Sequence, residues 1–226
     1  MADKSVFDSK NIAQQAMLRE RDLLDELNIP PKMASFLREN SKRIQMGVIC
    51  VVIAILAWSA YDYYQAGQRE ASAAMLAKAT QAKSDDQRKE MLGELLKKYP
   101  RTEAALLGKL DLGHMAFQQN DLAKAIATYS EVLEKMSSDN PLVPFVRYSL
   151  AQAYESNKDD GNAIKQYQAL AELTGFAGQG YQGLGRIYEN EGQTEKAIES
   201  YKKAVDQEDL SPGDKEMLEG ILARLQ

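Results

Sequence analysis

Between Arg43 and Asp62 the chain runs for 18 residues without a charge, Ile44-Gln-Met-Gly-Val-Ile-Cys-Val-Val-Ile-Ala-Ile-Leu-Ala-Trp-Ser-Ala-Tyr61. At ~1.5 Å of rise per residue such a stretch makes about 27 Å of helix, close to the ~30 Å hydrocarbon core of a bilayer. Lys42 and Arg43 flank one end, while Trp58, Tyr61, Tyr63 and Tyr64 cluster at the other like an interfacial aromatic belt. A buried core helix is the soluble alternative, and the length and the flanks argue against it. A cleavable signal peptide fits less well. Ala57-Trp58-Ser59 loosely matches a small-x-small site, but more than forty residues come first. Cys50 follows Gly47-Val48-Ile49, which is not a lipoprotein-type box. Residues 44–64 therefore read as one retained transmembrane helix.

Charge gives the orientation. Lys32, Arg38, Lys42 and Arg43 lie shortly before the span and only Arg69 lies equally close after it, with Lys78 and Lys83 further on. The positive-inside rule then places residues 1–43 in the cytoplasm and residues 65–226 outside. The tail 1–43 holds 8 basic and 7 acidic residues. In it Ile12, Ala16, Leu23, Leu24 and Leu27 mark one amphipathic helix, ended by Pro30-Pro31. Met33, Phe36 and Leu37 form a short apolar stripe leading into the span. The stripe reads either as an interfacial helix on the inner leaflet or as part of a partly ordered tail that only supplies charge.

Beyond the span, residues 65–226 hold 20 basic and 25 acidic residues, a balance of −5 equal to that of the whole chain. The mean hydropathy of −0.45 thus averages a polar, acidic domain with one apolar segment. An acidic domain of this kind is not built for nucleic acid or anionic lipid.

That domain repeats itself. Tyr181-x-x-Leu184-Gly185-x-x-Tyr188 followed by Ala197-x-x-x-Tyr201-x-x-Ala204 has a counterpart 34 residues earlier. There the chain reads Arg147-x-x-Leu150-Ala151-x-x-Tyr154, then Ala163-x-x-x-Tyr167-x-x-Leu170. A further step back of 38 residues gives Lys109-x-x-Leu112-Gly113-x-x-Ala116, then Ala125-x-x-x-Tyr129-x-x-Val132. The longer step accommodates the turn-rich stretch Ser137-Ser138-Asp139-Asn140-Pro141. The pattern resembles the tetratricopeptide repeat, a helix–turn–helix unit of about 34 residues. Gly113, Ala151 and Gly185 would let the second helix approach the first, as would Ala125, Ala163 and Ala197, while Tyr129, Tyr167 and Tyr201 fill the space between units. Polar turns at Gln119-Asn120-Asp121, Asn157 to Gly161 and Glu191-Gly192-Gln193 separate the helices.

The expected fold is all-α: a single N-terminal transmembrane helix followed by a right-handed helical solenoid. Clear repeats cover about 106–140, 144–177 and 178–211. A degenerate helix pair precedes them. Its first helix continues from the membrane through Ala71, Ala74, Leu76 and Ala79, and its second carries Leu92, Leu95 and Leu96 and ends at Tyr99-Pro100. Ser211-Pro212 starts a capping helix over 212–226 with Met217, Leu218, Ile221, Leu222 and Leu225 on one stripe.

Catalysis is not expected, and neither is a cofactor, a metal or a small-molecule substrate. His114 is the single histidine and Cys50 lies in the span, so no Cys/His pair or Ser/His triad can assemble in the repeat domain. Gly175, Gly178, Gly180, Gly183 and Gly185 lack the spacing of a phosphate-binding turn, and Asp85-Asp86 and Asp159-Asp160 read as solvated turns. A repeat stack instead offers a concave face lined by first helices. The resemblance places Leu107, Leu110, His114 and Phe117 on it from the first unit, and Phe145, Tyr148, Gln152 and Glu155 from the second. Gln179, Gln182, Arg186 and Glu189 come from the third. Such a face suits an extended peptide or a partner helix. Two alternatives stay open: Leu107, Leu110 and Phe117 pack on the preceding pair, and His114 is a wedged structural ring.

The tail with Phe36 and Asn40, the aromatic-ended span and the small acidic repeat domain together are similar to the ancillary SecYEG translocon subunit family (the YfgM family). That resemblance implies a single-pass protein of the bacterial inner membrane with its repeats in the periplasm. Its implied partners are SecYEG and a membrane-anchored periplasmic prolyl-isomerase-like chaperone, in the handling of exported proteins. A structural accessory subunit of another inner-membrane or envelope complex is the rival reading.

Overall fold

A computed structural model of the chain describes residues 30–226, and ten α-helices and no strand occur among the described residues. The amphipathic helix expected from Ile12 to Leu27 lies outside the described residues. Pro30 and Pro31 open a helix at this point: α1 spans Pro31–Glu39 with Pro30 as N-cap and proline in its first turn, where its missing N–H costs nothing. The backbone N–H and the Nδ2 of Asn40 both donate to the Phe36 carbonyl at 3.0 Å and close α1.

α2 runs unbroken from Ser41 to Thr80, 40 residues, so the apolar segment and the first helix of the degenerate pair form one helix. By its internal contacts the chain divides within α2, after Gln65. In the first unit every large apolar side chain from Met46 to Leu56 is exposed. α2 contains a segment long and apolar enough to cross a membrane. In the second unit the end of α2 changes character: Ser72 and Ala79 are fully buried, and Met75 and Leu76 pack on Ala79, Leu92, Leu95, Ala104 and Met115.

From there the helices form antiparallel pairs in chain order: α3 (Asp85–Lys98), α4 (Glu103–Gln118), α5 (Leu122–Lys135), α6 (Val143–Ser156), α7 (Asp160–Ala171), α8 (Ala177–Asn190), α9 (Thr194–Val205) and α10 (Pro212–Leu225). Side-chain oxygens of Ser84, Thr102, Asp121, Asp159 and Ser211 cap α3, α4, α5, α7 and α10 by accepting the backbone N–H three residues on. The turn inside each clear unit holds one left-handed residue, Asn120 (φ 60°), Lys158 (φ 62°) and Gly192 (φ 73°). Around each, a six-to-one bond closes a Schellman motif: Asp121 N–H to Ala116 O, Asp159 N–H to Tyr154 O and Gln193 N–H to Tyr188 O, at 2.8–2.9 Å.

From α3 to α10 each helix packs chiefly on its neighbours in the chain, and the core is a series of layers between consecutive pairs. Tyr129, Tyr167 and Tyr201 centre three layers, at 1%, 0% and 2% exposure. The close approach expected of the small residues is present. A Cβ built on Gly113 would lie 2.7 Å from the Tyr129 ring, and one on Gly185 would lie 2.5 Å from the Tyr201 ring. The α8 glycines serve packing as well, because a Cβ on Gly183 would meet Tyr167 at 2.4 Å and one on Gly180 the Ala171 backbone at 2.5 Å. They make α8 thin on the side that faces α7.

Candidate functional site

Each buried tyrosine brings a hydroxyl to its layer, and a buried hydroxyl needs a partner. The first helix of the same unit supplies it. Tyr167 Oη donates to Glu155 Oε2 at 2.8 Å and Tyr201 Oη to Glu189 Oε2 at 2.9 Å, both across 12 residues. In the first unit Phe117 stands where Glu155 and Glu189 stand in the other two. There His114 takes over, its Nδ1 2.8 Å from Tyr129 Oη. Burial pushes the Tyr129 phenol up to about 12 and raises Tyr167 and Tyr201 as well, so all three keep their protons at neutral pH. His114 is held below its ordinary value by burial, with Arg88 adding to the effect and Asp111 opposing it. The hydrogen bond between Tyr129 Oη and His114 Nδ1 runs in the direction that the imidazole tautomer sets.

Arginines then link the units. Arg186 on α8 reaches back to α6, donating from Nε to Glu155 Oε1 at 2.6 Å and from Nη2 to Glu155 Oε2 at 2.8 Å. The same Nη2 donates to Tyr167 Oη at 2.8 Å, and the guanidinium lies 5.8 Å from the Tyr167 ring centroid. From α10, Arg224 Nη2 donates to Glu189 Oε1 at 2.7 Å. Arg88 on α3 forks onto Asp111 on α4 at 2.8 and 2.7 Å. Burial works to raise the Glu155 carboxyl, but the bonds and charge of Arg186, with the Tyr167 hydroxyl, prevail and hold it below the usual carboxylate range. Glu155 thereby holds Arg186 above its ordinary value. The acids of this row are matched by arginines, and its polar atoms are already engaged.

The residues expected on the partner-facing surface divide accordingly. Glu155, Arg186 and Glu189 are committed to the bonds above. Leu110 and Phe117 pack on the layer of Ala116, Tyr129 and Val146. Tyr148 is half-buried, edge-on to Tyr167 with centroids 6.2 Å apart. Gln179 faces two acceptors, Asp209 Oδ2 at 3.0 Å and the Phe176 carbonyl at 3.3 Å, which assigns its amide nitrogen to that side. Leu107, Gln152 and Gln182 are half-buried. His114 is exposed over much of its side chain while its Nδ1 is partly buried against Tyr129, and Phe145 is 56% exposed with its ring edge-on to Phe176 at 5.2 Å. Sequence reasoning missed Arg88, Arg224 and the three hydroxyls. The recurring 12-residue interval from Glu155 to Tyr167 and from Glu189 to Tyr201 was the available signal.

Asp209, in the loop before α10, accepts from Gly178 N–H at 3.0 and 3.2 Å and so caps α8, whose own N-cap Phe176 cannot. Among the described residues no group of three His, Cys, Asp or Glu side chains is placed to hold a metal ion. The tyrosine and arginine bonds join one helix of the stack to another.

A search of curated proteins found no match. The family described as "Tetratricopeptide repeat-like domain" matches residues 34–225, from before the apolar segment to the penultimate residue of the chain. That range takes in the helix long enough to cross a membrane together with every helix pair, and the chain belongs to this family of tetratricopeptide repeat-like domains.

Proposed function

We propose that this chain is a membrane-anchored protein-binding module, held by residues 44–64 in the bacterial inner membrane with its repeats in the periplasm. It acts there as an ancillary subunit of the Sec translocon, linking it to a periplasmic prolyl-isomerase-like chaperone and to exported proteins. A domain family known for protein interaction, matched across both the apolar helix and the repeats, carries the protein-binding part of this reading, and the translocon part rests on the resemblance drawn from the sequence. The uncharged, exposed stretch of α2 and the basic residues before it support the anchor and its direction. Anchoring confines the repeats to the membrane plane and raises their effective concentration at partners there. Among the expected contact residues, Phe145 and His114 are the most open, and we assign partner contact first to Phe145.

A reporter fused after Gln226 tests the direction: activity as an exported protein is expected, and cytoplasmic activity reverses the topology. Purification of the full chain from membranes tests the partner. SecYEG and a periplasmic chaperone are expected in stoichiometric amounts, weakened by Phe145→Asp; recovery of a different stoichiometric complex replaces the translocon reading.

A further inference from the structure

We propose that α1 is a lipid-surface helix whose Met33, Phe36 and Leu37 side chains bed in an anionic leaflet beside the entry point of α2. The inference rests on reading α2 as a membrane span. Positions 33, 36 and 37 fall within an arc of about 100° on a helix, with Ser35 and Glu39 on the far side by register. Two of the three side chains are open, Met33 at 59% and Phe36 at 60% exposure, and Leu37 is half-buried beside them. A helix of 9 residues without tertiary packing is marginal in water, so an apolar surface must complete it.

Two observations choose lipid as that surface. The first is continuity. Asn40 receives the end of α1 through its bonds to the Phe36 carbonyl, and its own carbonyl accepts the Ile44 N–H at 2.9 Å. The stripe therefore ends at Leu37, about two helical turns before the apolar run of α2 begins at Ile44, near the level where a spanning helix meets headgroups. The second is charge. Lys32, Lys42 and Arg43 are exposed around this junction, against Glu39 as the acid of α1. Apolar residues on one side with bases at the margin fit an interface rich in phosphate headgroups, into which lysine and arginine can extend while their stems cover acyl chain.

The test uses the full chain, with Cys50→Ala as background, in vesicles of phosphatidylcholine and phosphatidylglycerol. Nitroxide labels go on single cysteines at Met33→Cys, Leu37→Cys, Ser35→Cys, Glu39→Cys and, within the span, Ile53→Cys. Collision with oxygen relative to a water-soluble nickel complex should rise at 33 and 37, stay at the bulk-water value at 35 and 39, and be highest at 53. Removing phosphatidylglycerol should shift 33 and 37 toward the water value and leave 53 unchanged. Equal water exposure at 33, 35, 37 and 39 with a deep label at 53 overturns the lipid-surface helix and leaves the span standing. A water-exposed label at 53 overturns the span and this inference with it. Labels at 33 and 37 shielded from both reagents indicate a protein contact there and also overturn it.

Discussion

Arg186 grips Glu155 through two hydrogen bonds of 2.6 and 2.8 Å, so a cation of the third repeat is locked to an anion of the second. Truncating one partner leaves the other, together with Tyr167 Oη, short of a bond. With 38% of the Arg186 side chain exposed, water compensates part of that loss. Arg186→Ala should therefore lower stability by about 1–2 kcal/mol, below the range for fully buried pairs. The double variant Glu155→Ala, Arg186→Ala should lose less than the sum of the single losses in urea unfolding. Additive losses would show that the pair is not coupled.

The same pair sets an acid limit. Glu155 titrates below its unfolded value of 4.5 when folded, so the folded chain binds this proton less readily than the unfolded one. Its contribution is present above pH 4.5 and declines as pH falls through the folded value. Glu155→Gln should be less stable than the native chain at pH 7, and the gap should narrow steadily below pH 4.5. Urea midpoints at a series of pH values measure this. A gap independent of pH would assign the effect to packing.

Gly185 and Gly220 should respond to alanine in opposite directions. A Cβ on Gly185 lies 2.5 Å from the Tyr201 ring, which is buried and tied by its hydroxyl to Glu189. Gly185→Ala should cost about 1–3 kcal/mol. Gly220 lies inside α10 with nothing within 4 Å of its Cβ site, so Gly220→Ala should gain roughly 0.5–1 kcal/mol from helix propensity. Thermal unfolding of the two variants measures both signs. Equal shifts would contradict the packing of α9 on α8.

Most of the helix framework was legible because it is written in periodic apolar positions. The interval separating Tyr129, Tyr167 and Tyr201 set the units, and small residues such as Gly113 and Gly185 marked where helices touch. The contact surface was legible only as positions. Register places Glu155 and Arg186 near one face, but whether they meet each other or a partner depends on which rotamers the packing permits. Arg224 was invisible for a related reason: it lies one turn beyond the position matching Arg186, so simple alignment finds Gly220 instead. The other α8 glycines were legible only in part. Their spacing excluded a phosphate-binding turn, but apart from Gly185 it did not say what they serve, and the approach of Leu210, Ala171 and Tyr167 explains Gly178, Gly180 and Gly183.

Lys158 holds the left-handed position of its turn, which Gly192 fills in the next unit and Asn120 in the one before. For a side chain with a Cβ this conformation costs about 1–2 kcal/mol, less for asparagine. Lys158 accepts it because its N–H donates to the Glu155 carbonyl at 3.0 Å and the following N–H closes on Tyr154. Glycine keeps both bonds and removes the strain, at some cost from the added freedom of the unfolded chain. Lysine also carries a charge that helps hold Glu155 ionised, so Lys158→Ala is the proper reference. Lys158→Gly should be more stable than Lys158→Ala by roughly 0.5–1 kcal/mol. The same glycine-against-alanine comparison at Asn120, where φ is 60°, should give a gain of similar size, because the native side chain drops out of it. Urea unfolding of the four variants measures the difference, and an alanine at 158 as stable as glycine would remove the left-handed turn from the second repeat.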